Sequence, residues 1–139
     1  MKGLVGIAVI IGVLALGAGG AASRVGAARR IATFEREARA LATSVDTGEP
    51  APVRERVGAL AAKHDVVIDA ERMKVRILEL DLEHFERMLP DERLEAHRRL
   101  RARERCWYVE LGVAGRARWL LGTADFEFEH HVPAGPLGR

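Results

Sequence analysis

The chain has 139 residues, 22 of them Lys or Arg against 20 Asp or Glu, and 48% are apolar. That length accommodates one domain rather than two. A net charge of +2 gives no basic surplus for a nucleic-acid partner, and the single cysteine, Cys106, rules out an intrachain disulfide.

The first element is announced by charge. From Gly3 to Ala22, GLVGIAVIIGVLALGAGGAA, 20 residues pass without a charged side chain, and every acidic residue lies at or beyond Glu35. As a helix this run would measure about 30 Å, the thickness of a bilayer's hydrocarbon core. Residues 1–23 are therefore expected to form a transmembrane anchor in contact with membrane lipid. The competing reading is a cleaved signal peptide. Lys2 would be its basic start, Leu4 to Leu16 its apolar region, and Gly20-Ala21-Ala22 before Ser23 its cleavage site. Length favours the anchor, and the lack of a cysteine after the apolar region excludes a lipoprotein.

Within that run Ala8, Gly12, Ala15, Gly19 and Ala22 are spaced by four, three, four and three. Small residues along one helix face let a second backbone approach closely, so the stripe is a candidate packing face for a second copy or a partner's helix. The plainer reading is composition, since Gly and Ala are common in membrane helices. The flanks give opposed signals for topology. Arg24, Arg29, Arg30, Arg36 and Arg39 follow the run and point the soluble part toward the cytoplasm. The very short tail before the run resembles a signal anchor and points it outward. The expectation leans to a single-pass bacterial inner-membrane protein with an extracytoplasmic domain, the cytoplasmic side staying open.

Residues 24–45 read as an amphipathic continuation of the same helix. Val25, Ala28, Ile31, Phe34, Ala38, Leu41 and Val45 recur at three and four, and Glu35 and Arg39 form an i,i+4 pair on the other side. Residues 46–52, DTGEPAP, are a linker. A small soluble α+β domain is expected over 53–132. It starts with a helix from Val53 to about His64, followed by the β-branched Val66-Val67-Ile68 and a strand over 72–80. Leu82 to Glu104 reads as helix, interrupted or restarted at Pro90. Its acids precede its bases, which suits the helix dipole. The basic end, Arg98, Arg99, Arg101 and Arg103, is a candidate docking surface for a protein or for anionic headgroups. Trp107, Val109, Leu111 and Val113 alternate as a strand, Ala114-Gly115 is expected to turn it, and Arg116 to Leu121 to return it. Phe126 and Phe128 alternate with acids, and the tail 133–139 is expected to fray.

Chemistry is sparse. Asp125, Glu127, Glu129 and His131 would share one strand face and could in principle hold a divalent cation. An exposed polar strand face that resists edge pairing is the expected reading, and no specific metal binding is expected there. Cys106 with His84 or His97 would make a thiol–imidazole pair only if the fold joined them. An apolar core cysteine is the simpler expectation. His64 is expected to cap its helix or meet solvent. The sequence contains no phosphate-binding glycine loop, zinc-spaced Cys/His set or nucleophile elbow, so neither a cofactor nor an enzyme is expected.

The assembled order is an α+β chain. A transmembrane helix continues into an amphipathic helix, followed by a small module of helix and antiparallel sheet. With Lys2-Gly3 directly before Leu4, it resembles the type IV pilin-like proteins. That resemblance implies processing after Gly3 and a long helix packed by its C-terminal half on an antiparallel sheet. The family's usual glutamate at the fifth mature position falls here at Ala8. Residues 53–132 are also similar to small bacterial single-pass envelope proteins, a resemblance that implies no particular activity. The expected role is a non-catalytic, membrane-tethered interaction protein, with protein partners or a second copy met through the membrane helix. The alternatives are an exported binding module freed by cleavage and a metal-dependent enzyme using the acidic strand.

Overall fold

The computed structural model describes residues 2–102 and 106–135, with side chains from Gly17 onward. In chain order it contains α1 (Lys2–Thr43), α2 (Pro50–Lys63), β1 (Val66–Ile68), a 3₁₀ turn at Ala70–Arg72 and β2 (Lys74–Glu79). A 3₁₀ segment at Leu82–Arg87, α3 (Pro90–Arg101), β3 (Trp107–Trp119) and β4 (Gly122–Ala134) complete it. The class is α+β, an N-terminal helix with a small antiparallel sheet.

α1 is one continuous helix of 42 residues, about 63 Å long at 1.5 Å per residue. The glycines at 17, 19 and 20 do not interrupt it. It ends where Thr43 and Ser44 turn their hydroxyls back to the carbonyls of Ala40 and Leu41 (2.7 and 2.9 Å), satisfying acceptors that have no helical partner. α2 restarts the chain with Pro50 in its first turn, where a missing N–H removes nothing. α3 uses Pro90 in the same way, so that proline starts a helix rather than kinking one. Among the described residues no helix is long and apolar enough to cross a membrane. Most of the uncharged run Gly3–Ala22, and with it the expected anchor, lies where side chains fall outside the described residues.

β3 is the sheet's axis. β4 pairs along its whole length on one side, while β1 and β2 lie in tandem along the other. One face of the sheet carries Val109, Leu111, Val113 and Ala117 of β3 with Phe128, Val132 and Ala134 of β4. Against it lie Ala27, Phe34, Ala38 and Ala42 of α1, Val45, and Val53, Val57 and Ala61 of α2. The amphipathic part of α1 is thus built into the domain's core. Its buried face is rotated from the expected one at the N-terminal side: Ala27 is fully buried, whereas Val25 and Ala28 are exposed. A smaller cluster of Phe85, Met88, Ala96 and Tyr108, flanked by Leu78 and Leu80, covers the start of the sheet's other face.

The hairpin corrects the expected turn. β3 runs straight through Ala114-Gly115, and the chain reverses at Leu120-Leu121, with Trp119 paired to Gly122. Gly115 serves packing instead of turning. It pairs with Ile68, and a methyl group there would collide with the Val67 carbonyl and press on the Phe126 ring. Gly115→Ala is therefore expected to push β1 off β3 and to destabilise the domain by about 1–3 kcal/mol, the usual penalty for overpacking. A thermal melt of the full chain checks this, and an unchanged midpoint would contradict the close approach. The expected frayed tail is also corrected in part. Pro133 and Ala134 are buried in β4 opposite Tyr108 and Trp107, and residues 136–139 lie outside the described residues.

Candidate functional site

The sheet's second face gathers a cluster of polar side chains. Alternation along β3 turns Tyr108 and Glu110 to this face, and the register brings His131 of β4 opposite Glu110 and Glu129 opposite Gly112. On the other edge β2 places Arg76 opposite Glu110 and Lys74 opposite Gly112. The Glu110 carboxylate, only 1% exposed, is contacted by the Lys74 ammonium, with Arg76 Nη1 at 3.5 Å from Oε2. Lys74 is also 3.9 Å from Glu129, and Glu129 in turn lies 2.9 Å from His131 Nε2. His131 Nδ1 meets the Tyr108 hydroxyl, and His84 stacks on the Tyr108 ring with centroids 4.1 Å apart.

Two carboxylates thus face two cations, and the charges cancel locally. Burial works to raise the Glu110 carboxyl, but Lys74 and the neighbouring polar groups hold it below the ordinary glutamate range. Burial also raises the Tyr108 hydroxyl, helped by the Glu110 charge. Glu110, Glu129 and His131 bring one ligand atom each within 4.8 Å of one another, a spacing suited to a metal. A cation already belongs to the set, however: Lys74 reaches Glu110 from the sheet itself, and a metal would have to displace it. Nothing here resembles an activated nucleophile with its base.

The expected acidic row divides. Glu129 and His131 join Glu110, whereas Glu127 pairs with Arg72 at 3.0 Å and Asp125 sits opposite Arg116. Glu127 and Asp125 line an open groove of about 720 Å³ where the 3₁₀ turn separates β1 from β2. Its charged lining is four carboxylates, Asp69, Glu71, Asp125 and Glu127, against two guanidinium groups, Arg72 and Arg116. Sequence alone did not single out Tyr108, Glu110, Lys74 or Arg76. The local signal is a lone glutamate in the otherwise uncharged first part of the strand, Trp107 to Gly115.

The histidines elsewhere serve packing. His64 is the C-cap of α2, as expected, its N–H donating to the Leu60 carbonyl at 3.1 Å; its ring does not meet solvent but lies with Nε2 2.6 Å from Glu37, tying α2 to α1. The contact holds the Glu37 carboxyl low. Burial pushes His130 down despite Glu35 at 3.2 Å. His97 leans on Phe85 and His84 on Tyr108, while Cys106 is buried with its sulfur 3.9 Å from the Trp107 carbonyl. Of the arginine docking set, Arg98 and Arg99 bond to Glu95 at 3.1 and 3.0 Å, Arg101 is exposed, and Arg103 lies outside the described residues.

A second region lies where α1 leaves the domain. Ala8, Gly12 and Ala15 of the small-residue stripe have side-chain positions outside the described residues, while Gly19 and Ala22 are exposed. A side-chain carbon on Gly19 would sit 3.8 Å from Leu120, and Gly20 is buried directly against Leu121 and near Trp119. Ser23 Oγ accepts the Leu120 N–H at 2.8 Å, and the Arg24 guanidinium lies 5.9 Å from the Trp119 ring centroid. The reversal of the hairpin therefore rests on the helix at the end of its uncharged run, with Gly17 beyond it in open space. Comparison with protein-family models, with curated proteins and with solved structures found no match.

Proposed function

We propose that this chain is a non-catalytic, membrane-tethered interaction protein of a bacterial cell envelope. The run Gly3–Ala22 passes once through the inner membrane and presents the domain on the extracytoplasmic side. The observation that carries the reading is the continuity of α1: one helix holds the uncharged run at its start and the core residues Phe34, Ala38 and Ala42 further on. A tether fused in this way to the core holds the domain close to the bilayer with little freedom to swing. The small-residue stripe from Ala8 to Ala22 is the face offered to a second copy or a partner's helix, and Arg98, Arg99, Arg101 and Arg103 form a secondary docking surface. The self-neutralised cluster around Glu110 favours a binding module over an enzyme. Cleavage before Ser23 is disfavoured, because it would strip Gly19 and Gly20 from the hairpin they contact.

The test is intact-mass measurement on native protein from membranes washed with alkaline carbonate. Retention with an N-terminus at Met1 supports the anchor, and at Leu4 it supports an anchor processed as in pilin-like proteins. A soluble species starting at Ser23 refutes the tether in favour of an exported module.

A further inference from the structure

The β3–β4 reversal is apolar where a water-facing turn would be polar. From Trp119 to Ala124 no residue is charged, and no Gly, Asn or Asp occupies the two turn positions. Leu120 and Leu121 fill them, 59% and 64% exposed. The same tip lies beside Gly19 and Gly20, within three residues of the end of the uncharged run. Its Leu120 N–H is satisfied by Ser23, which reduces its need for water. Just outside the tip stand Arg24, exposed beside the Trp119 ring, and Arg118, also exposed.

We infer that Trp119, Leu120 and Leu121 form a second membrane contact, lying in the headgroup and upper acyl region of the bilayer beside the helix that crosses it. The inference rests on the tethered reading above and adds a contact that reading does not require. The placement follows from geometry. If residues 3–22 span the hydrocarbon, the level of Gly19 to Ser23 is the boundary, and a hairpin tip fixed at that level touches the lipid. The chemistry fits the boundary. Tryptophan concentrates at membrane interfaces, leucine gains by leaving water, and arginines at the rim reach phosphate while their stems cover apolar surface. Arg24 and Arg118 select anionic headgroups in particular. A hairpin contact on one side of α1 also fixes the helix's rotation and prevents the domain from tilting about its tether.

The experiment uses the full chain carrying Trp107→Phe, so that Trp119 is the sole tryptophan. The protein is reconstituted into vesicles of phosphatidylcholine and phosphatidylglycerol. Flotation reports the tether, and quenching of Trp119 by lipids brominated near the headgroup or by aqueous iodide reports the tip. Expected are flotation, strong quenching by the shallow bromine and several-fold weaker iodide quenching than in detergent-free unfolded chain. Adding Leu120→Glu and Leu121→Glu should reverse the two quenching responses while flotation persists. Flotation with Trp119 open to iodide and untouched by bromolipid overturns the inference and leaves the tether standing. Shielding from both quenchers, with tip-to-tip crosslinks, overturns it in favour of contact between copies. Failure to float refutes the tether, and the inference with it.

Discussion

Replacing Phe34 by alanine is expected to destabilise the domain by about 3–5 kcal/mol, the range for emptying a buried aromatic site. Phe34 is fully buried, with its ring centroid 5.8 Å from those of both Phe126 and Phe128. It pins α1 to β4, so its loss opens the seam between the helix and the sheet's far strand. Domains of this size have about 5–15 kcal/mol in total, and a fall of that order leaves little margin. Urea unfolding of the full chain in micelles, followed by tryptophan emission, measures the effect. Val25→Ala, on the exposed side of the same helix, is the control and should stay within about 0.5 kcal/mol. Comparable losses in the two variants would mean that the helix presents a different face.

That contrast also marks what the sequence could and could not reveal. The continuity of α1 was legible, because an uncharged run leads into a three-and-four periodicity with no proline between them, although Gly17, Gly19 and Gly20 marked a point where it could weaken. The phase of its N-terminal part was not: positions 27 and 28 are both alanine, and only tertiary contact decides which one is buried. The turn was misplaced for a related reason. Gly115 looks like a reversal but makes room for a neighbouring strand, and a reversal made of two leucines carries no turn signal. Similarly, Glu110 reads as the polar half of an alternating strand. Its burial depends on Lys74 and Arg76, whose pairing with β3 is a fact of register, invisible to local pattern. The acidic face of β4 was legible as a face, since alternation dictates it. Which of its members meet partners was not.

The second large effect is expected at Lys74. Lys74→Met removes the closer of two cations from a buried carboxylate and leaves Glu110 with the longer contact to Arg76. The expected loss is about 3 kcal/mol, at the lower end for breaking a buried pair because Arg76 remains. Adding Glu110→Gln should recover much of it, since a neutral amide no longer demands a counter-charge. The pH dependence has a definite sign. Glu110 titrates below its ordinary range in the folded chain, so its contribution is present above that range and is lost as pH falls through it. In Lys74→Met burial is opposed less, the carboxyl binds its proton more readily, and the deficit against the parent narrows on acidification. Denaturant midpoints of both proteins at neutral and acid pH check this. A deficit that is the same at both would mean that Lys74 acts through its aliphatic stem, not its charge.

The joining of α1 to the hairpin has a consequence in time as well as space. Ser23 and its partner Leu120 are 97 residues apart in the chain, and Arg30 reaches the carbonyl of Arg118 across 88. At about 5–20 residues per second of synthesis, the inner face of α1 waits roughly 5–20 s for the strands that cover it. During that interval Phe34, Ala38 and Ala42 have no sheet to pack on, and α2 alone provides only partial shelter. Closure of so many distant contacts at once makes folding a late, cooperative event rather than a stepwise one. A ribosome that stalls before Gly122 would therefore release a chain whose first helix is already in place and whose seam is bare, a ready substrate for chaperones and for quality-control proteases.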